Sequence, residues 1–203
     1  MRTLLPLALI GLSATAFADR LITIPTGTKI KLNTIKAEGI WEQSRARSSR
    51  YYLGAGLTDA IDAQFTGERF EGERFRSSFD ISYNYIPPII GVGPGVSFGV
   101  QDVLNVTNDG RRYFIAITTR QGFADSVSGS IPAEFTLGAY FGSVTAPFIG
   151  VMLPFTDYVR VLAEYNGRRI NAGVEIRPTN DIALRAIFER KDLLIGAQVT
   201  IKF

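Results

Sequence analysis

One stretch of the sequence matches a pattern associated with nucleophilic catalysis. Residues 95–99 (GVSFG) fit the G-x-S-x-G motif, in which the serine of a hydrolase lies on a sharp turn between a strand and a helix. In those enzymes a histidine accepts the serine proton, but this chain contains no histidine and no cysteine. The motif also lies within an alternating pattern that indicates a strand. We therefore predict a structural role for Ser97, with no disulfide and no thiolate or imidazole metal ligand.

A second set of residues that could bind a solute or take part in catalysis consists of charged side chains at alternate positions of the predicted strands. Both signs are interspersed, which predicts cross-strand ion pairs, because an enclosed charge is costly unless it is paired or hydrated. The alternative is that these side chains line a water path or bind a polar solute such as a saccharide. The candidate lining residues are Lys36, Glu38, Asp62, Arg76, Asp80, Glu134, Arg160, Glu164, Glu175, Arg177, Arg185, Glu189 and Lys202.

Paired carboxylates can also perform acid–base hydrolysis of glycosides. Glu134, Glu164 and Glu175 are the candidates for such chemistry, but the sequence distinguishes no particular pair. We therefore predict a protein without enzymatic activity and without a metal or cofactor. A lipid or glycan hydrolase is the alternative.

The elements that carry these residues are predicted to be strands. Apolar and polar residues alternate from Thr34 to the end of the chain, which is the period of a β-strand, and no convincing helical period follows the first eighteen residues. Eleven turn signals divide the pattern into twelve strands, with ten to fourteen compatible. The signals lie at residues 44–49, 58–59, 71–73, 87–88, 105–110, 121–129, 142–146, 156–157, 166–167, 178–181 and 191–192.

Alternation alone leaves open whether the apolar face is enclosed or faces outward. A soluble sandwich encloses it, whereas a membrane barrel turns it to lipid. Glycines beside the charges, aromatic residues near strand ends and a terminal Phe203 on the apolar face favour the barrel. The prediction is an all-β fold, an antiparallel up-and-down transmembrane β-barrel of about twelve strands over residues 34–203. A soluble secreted β-sandwich that binds a ligand is the alternative.

The first residues have the organisation of a secretory signal peptide. Arg2 precedes an apolar stretch, and Ala16-Phe17-Ala18 forms the small-residue cleavage pattern, so we expect residues 1–18 to be removed after Ala18. Residues 19–33 are then predicted to be a periplasmic N-terminal segment. The sequence leaves its role open between a tail and an additional edge strand.

The end of the chain, residues 193–203 (LLIGAQVTIKF), resembles the C-terminal signal of bacterial outer-membrane barrels. The resemblance implies that Phe203 is recognised by the outer-membrane assembly machinery and that the wall contacts membrane lipid. An even number of strands returns both ends of the barrel domain to the periplasm, as this class requires. We expect a monomer, and the dispersed charge gives no indication of nucleic-acid binding.

Two further stretches are similar to known patterns. Residues 56–62 (GLTDAID) look like a hairpin that recurs in bacterial outer-membrane proteins. Residues 95–103 (GVSFGVQDV) followed by residues 112–116 (RYFIA) resemble a paired-strand pattern of the YjbH-like family. That family is associated with exopolysaccharide production or export, so the resemblance implies a polysaccharide-related role, with polysaccharide as a partner.

Overall fold

The computed structural model describes residues 20–43, 48–122 and 131–203, which form twelve antiparallel strands closed into one barrel. No helix in these residues is long and apolar enough to cross a membrane. Consecutive strands pair with each other, and β1 closes the barrel against β12. The strands are β1 Thr34–Glu42, β2 Ser49–Gly56, β3 Ile61–Arg69, β4 Arg76–Ile86, β5 Gly95–Gln101, β6 Arg112–Gln121, β7 Ala133–Gly142, β8 Ala146–Pro154, β9 Val159–Tyr165, β10 Ile170–Ile176, β11 Ile182–Glu189 and β12 Asp192–Lys202.

The strand count and fold class predicted from the alternation are confirmed, and the predicted breaks fall at the connections between strands. The β9–β10 hairpin shows the local cause. Gly167 has a φ of 85°, and the Asn166 side chain accepts hydrogen bonds from the backbone N–H groups of Arg168 and Arg169 at 3.2 and 3.1 Å. The predicted signal peptide lies outside the described residues, as do parts of the predicted turns at 44–49 and 121–129.

The apolar face of the strands points outward. Phe135, Val161, Val174 and Val199, on four different strands, are 45%, 41%, 39% and 44% exposed, respectively. Aromatic pairs lie edge-on or tilted across neighbouring strands on this outer wall: Trp41 with Tyr51, Phe65 with Phe79, and Tyr83 with Phe98. Charged residues at the intervening positions are buried inside the barrel. This arrangement is the reverse of a soluble sandwich.

The two ends of the barrel differ. One end, called here the terminal end, carries Asn33 and Phe203, whose backbone groups form a hydrogen bond of 3.0 Å. The opposite end, called here the mouth, carries the connections that follow the odd-numbered strands, among them residues 102–111 and 166–169.

Residues 20–31, called here the N-terminal segment, run inside the barrel and end at the exposed Lys31. Residues 19–33 are predicted from the sequence to be a periplasmic segment, either a tail or an additional edge strand. Within the described residues the barrel is closed and has no free edge for such a strand. Asn33, with a φ of 57°, lies between this segment and β1, in a conformation that asparagine tolerates better than most residues. The side chains of Leu21, Ile22 and Ile24 are buried.

The orientation of the wall predicts the effect of a charge on its outer face. Val174→Arg would place a cation against the acyl chains and is expected to reduce the free energy of unfolding by about 2–4 kcal/mol, whereas Val174→Leu should have little effect. Unfolding in urea from lipid vesicles, followed by the fluorescence of the single tryptophan, Trp41, measures both. Equal stability of the two variants would contradict the outward orientation.

Candidate functional site

An ion-paired cluster occupies the middle of the barrel, between β1 and the last four strands. Glu175 lies 2.6 Å from Arg177 Nε, 2.7 Å from Arg185 Nη2 and 3.4 Å from Arg160 Nη1. Arg185 also reaches Glu38 at 2.8 Å. These side chains are almost fully buried, so each charge depends on its partners for the solvation that water would otherwise supply.

The strand register brings this ion cluster together. Glu175 lies directly opposite Arg160 on β9 and Arg185 on β11, so the three residues form a row across neighbouring strands. β12 separates Arg185 from Glu38 and places Gly196 opposite Arg185. With no side chain at Gly196, the Arg185 guanidinium can pass over β12 and meet Glu38 on β1.

Arg20 of the N-terminal segment joins the same cluster. Its Nη2 lies 2.5 Å from Glu38 Oε2, and its guanidinium carbon lies 3.3 Å from the centre of the Tyr52 ring. The central network therefore contains both wall residues and a residue of the enclosed segment.

Other ion pairs lie towards the two ends of the barrel. Glu189 pairs with Arg50 at 2.9 Å and with Arg169 at 2.5 Å, near the mouth. Arg120 and Glu134 form a pair at 2.7 Å towards the terminal end. Both groups are largely buried and bridge neighbouring or nearby strands.

The predicted lining residues divide into three groups by burial. Arg76 and Lys202 lie at opposite ends and are partly exposed, with Arg76 3.0 Å from Glu73 and Lys202 4.0 Å from Asp181. Asp80 lies inside and is partly buried; its carboxylate accepts a hydrogen bond of 2.9 Å from Thr66. The remaining candidates are buried and face inward: Lys36, Glu38, Asp62, Glu134, Arg160, Glu164, Glu175, Arg177, Arg185 and Glu189.

Glu164 binds the backbone of the N-terminal segment. Its carboxylate accepts hydrogen bonds from the N–H groups of Ile22 and Thr23 at 3.0 Å and of Ile24 at 3.3 Å. The Thr23 hydroxyl and the Asn171 amide donate further bonds at 2.5 and 2.9 Å. Three successive N–H groups directed at one anion form a backbone nest, and here the wall supplies the anion.

The rest of the segment is bound by short polar side chains of the wall. Ser97, the serine of the G-x-S-x-G stretch, donates a bond of 2.6 Å to the Thr26 carbonyl from within β5. The Gly27 N–H donates to Thr118 Oγ1, and its carbonyl accepts from the Asn84 amide, both at 2.6 Å. Further along the segment, the Ile30 N–H donates to Asp62 at 3.1 Å.

Glycines of the inner wall provide space for this segment. A Cβ at Gly150 would lie 2.5 Å from Ile24 Cδ1 and 2.6 Å from Leu21 Cδ2, and one at Gly54 would lie 2.4 Å from Ile30 Cδ1. The backbones of segment and wall also approach closely at Gly27, where a Cβ would lie 2.6 Å from the Gly95 carbonyl oxygen. Larger residues at these positions would collide with the segment in its present position.

An apolar cluster forms inside the barrel around the segment. Its members include Leu21, Ile22 and Ile24 together with the inward-facing wall residues Phe114, Tyr140, Phe148, Met152 and Leu162. This packing explains why β8 is apolar on both faces: Ile149 and Leu153 face outward, whereas Phe148 and Met152 join the internal cluster.

A polar cavity of about 110 Å³ remains at the mouth. The N-terminal segment contributes Arg20 and Thr23 to its lining, and Tyr52, Phe70, Gln101, Asn108 and Asn166 provide rings and amides. Its charged lining residues comprise four cations and four anions: Arg20, Arg50, Arg112, Arg169, Glu68, Asp80, Asp102 and Asp109.

The long connection at the mouth is organised by Asp102. Its carboxylate accepts hydrogen bonds from the N–H groups of Val106 and Thr107 at 2.9 and 2.8 Å and from the Thr107 hydroxyl at 2.7 Å. Burial acts to raise the pKa of Asp102, but the hydrogen bonds from Thr107, Ser78 and the backbone outweigh it and hold this pKa below its usual value. The contribution of this carboxylate to loop stability is therefore present at neutral pH and is lost as the pH falls through the lowered pKa.

Sequence reasoning missed several interior residues. Arg50 and Tyr52 lie on β2, and Thr118 and Arg120 lie on β6, the two strands in which polar and apolar faces are mixed in the sequence. Counting alternate positions back from Gly54 would have placed Arg50 and Tyr52 inside. Nothing in the sequence of the N-terminal segment indicates that Arg20 would meet Glu38. Within the described ranges, no group of three or more acidic side chains is positioned to hold a metal ion.

A closed antiparallel barrel with an apolar outer wall and a polar, ion-paired interior defines a transmembrane β-barrel. The outer membrane protein Omp33 of Acinetobacter baumannii has a similar structure, with a TM-score of 0.56 at 10% identity over 84% of this chain and 98% of that chain. The KdgM porin matches with a TM-score of 0.53 at 9% identity, and the KdgM porin in complex with disordered oligogalacturonate matches with 0.53 at 10% identity. Both cover 84% of this chain and 99% of theirs.

At these identities the likeness shows the fold. No family model matches the chain, and no curated protein matches it by sequence. The resemblance to the YjbH-like family therefore depends on the two quoted stretches alone.

The central ion cluster predicts a large effect of neutralising Glu175. Glu175→Gln would leave buried guanidinium groups short of negative charge and is expected to lower the free energy of unfolding by about 3–5 kcal/mol. The matched control is Glu73→Gln, which removes a partly exposed partner of Arg76 and should cost less than about 1 kcal/mol. Urea titration in vesicles compares the two, and similar losses would show that the cluster has no special role in stability.

Proposed function

We propose that this protein is an outer-membrane β-barrel that provides a narrow conduit for small polar solutes. One observation carries the proposal: polar and charged side chains line the inner wall, and the N-terminal segment that occupies the interior is held to this wall by non-covalent contacts alone. A barrel of about twelve strands lies between filled eight-stranded barrels and open sixteen-stranded porins. The similar folds of Omp33 and the KdgM porin support this class of function.

The charge pattern favours a solute without a strong net charge. The mouth cavity contains equal numbers of cations and anions, and the deeper charges form ion pairs, so the interior has no dominant sign. Amides and aromatic rings at the mouth match the hydroxyl groups and apolar faces of a saccharide. The complex of the KdgM porin with disordered oligogalacturonate supports a saccharide. A link to exopolysaccharide production or export rests on the resemblance of residues 95–103 and 112–116 to the YjbH-like family alone.

A structural role is the second candidate, because paired charges and an apolar cluster stiffen the barrel. We do not propose a hydrolase. Glu164 is engaged with the N-terminal segment, Glu175 with three arginines and Glu134 with Arg120, so these carboxylates are committed to structural partners.

Processing and assembly form part of the proposal. Cleavage after Ala18 would leave one residue, Asp19, ahead of Arg20, which is compatible with the position of Arg20 inside the barrel. We also propose that the exposed Phe203 at the terminal end is recognised by the outer-membrane assembly machinery and that the barrel is monomeric.

Intact mass of the protein extracted from outer membranes tests the processing step. The expected mass is that of residues 19–203, because signal peptidase cleaves after a small-residue pattern such as that ending at Ala18. A mass that retains residues 1–18 would contradict the proposal.

Solute uptake by vesicles tests the conduit. Vesicles containing the protein are expected to swell in small neutral sugars, with similar rates for cationic and anionic solutes of the same size. Glu164→Ala removes the acceptor of three successive backbone N–H groups and should increase the rate, whereas Glu73→Ala, at the rim, should not. Correctly folded wild-type and Glu164→Ala proteins that both behave like empty vesicles would reject the conduit.

A further inference from the structure

We propose that the inner wall is a binding site for the N-terminal segment and that this segment is the gate of the barrel, closed when docked and open when displaced towards the terminal end. The inference rests on the proposed conduit and adds its regulation. It depends on how the segment is bound, on the shape of the wall around it and on where the segment is attached.

The wall binds the segment mainly through hydrogen bonds between wall side chains and the backbone of the segment, as a protein binds a peptide ligand. Four strands contact it through specific side chains, and three parts of the barrel wall are represented: Asp62 on β3, Ser97 and Thr118 on the neighbouring strands β5 and β6, and Glu164 on β9. Most of these bonds go to its backbone, so they position the chain across the lumen. A segment bridged from several sides in this way blocks the path between the two ends of the barrel.

The wall is shaped for this occupant. Gly150 faces Leu21 and Ile24, Gly54 faces Ile30, and Gly95 contacts Gly27. A wall evolved to fill its own interior would carry side chains at such inward positions. Glycine there leaves recesses that match the side chains of the segment, which indicates a dedicated docking site.

The attachment of the segment permits its release. Asn33 joins it to β1 at the terminal end, and the positive φ of this residue marks the sharp bend by which the chain enters the barrel. Rotation about residues 31–33 would withdraw residues 20–31 and leave the twelve strand pairings of the barrel intact, while releasing the isolated bridge between Leu32 and Gly56. At the other end, Arg20 and Thr23 form part of the floor of the mouth cavity, so a solute at the mouth meets the gate directly.

Single-channel recording in planar bilayers tests the gate with two opposite variants. Gly27→Val prevents docking, because its Cβ would lie 2.6 Å from the Gly95 carbonyl oxygen, and its open probability is expected to rise by about tenfold or more. Gly93→Val is the matched control, since no atom lies within 4 Å of the added Cβ. The double variant Thr23→Cys/Asn166→Cys is designed to tether the segment to the mouth by a disulfide, because the two native side chains are in contact, with Asn166 Nδ2 3.1 Å from Thr23 Oγ1, and the native chain has no cysteine.

The expected result is frequent opening of Gly27→Val, wild-type behaviour of Gly93→Val, and closure of the oxidised double variant that reverts on reduction. Conduction by the oxidised double variant equal to that of Gly27→Val would overturn the gate and leave the conduit intact. A thiol introduced at position 24 reports displacement through labelling by a water-soluble maleimide. If Gly27→Val exposes this thiol and still does not conduct, the conduit itself is rejected.

Folding of each variant is checked by its heat-dependent shift in gel mobility. If Gly27→Val does not fold, Gly150→Leu replaces it, because the added side chain fills the recess of Leu21 and Ile24. Failure of Gly150→Leu to expose the thiol at position 24 would contradict the steric basis of the docking site.

Discussion

The structure depends on one constraint: polar groups enclosed by the wall need partners, because transfer of an unpaired charge or backbone group out of water is costly. The wall provides these partners in two ways. Glu175 and Arg185 pair with each other within the wall, because the strand register places their opposite charges side by side. Glu164 instead accepts hydrogen bonds from the backbone N–H groups of the N-terminal segment. The segment is therefore part of the electrostatic balance of the barrel, beyond its role in occupying space.

The same segment explains why an otherwise polar interior contains an apolar cluster. Leu21, Ile22 and Ile24 need apolar neighbours, and β8 and β9 supply them through Met152 and Leu162 at positions where other strands carry charge. The ion cluster and the apolar cluster thus belong to different parts of one interior. Together they bind the segment through both its backbone and its side chains.

Much of the wall could be predicted from sequence, because strand pairing enforces a period of two and turns have a recognisable chemistry. Glu134, Glu164 and Glu175 could be assigned to one face for this reason. The position of the N-terminal segment could not, because residues 20–31 have no regular period and their contacts are with residues distant in the chain. Ile22 and Glu164, for example, are 142 positions apart. The inward positions of Arg50 on β2 and Arg120 on β6 could not be predicted either. Both faces of these strands mix polar and apolar residues, and alternation is informative only where the two faces differ.

The inward glycines shape the wall around a separate occupant, as the proposed gate requires. If the interior served only to stiffen the barrel, side chains on the wall would achieve this at lower entropic cost than an ordered stretch of backbone. Gly54, Gly95 and Gly150 instead leave space that residues of the N-terminal segment occupy. This arrangement suits an interior segment that leaves the barrel reversibly. A segment attached only near Asn33 can withdraw while all twelve strand pairings remain. The strand pairing of the closed barrel is therefore separate from the contacts that hold the segment, and this separation is what gating requires.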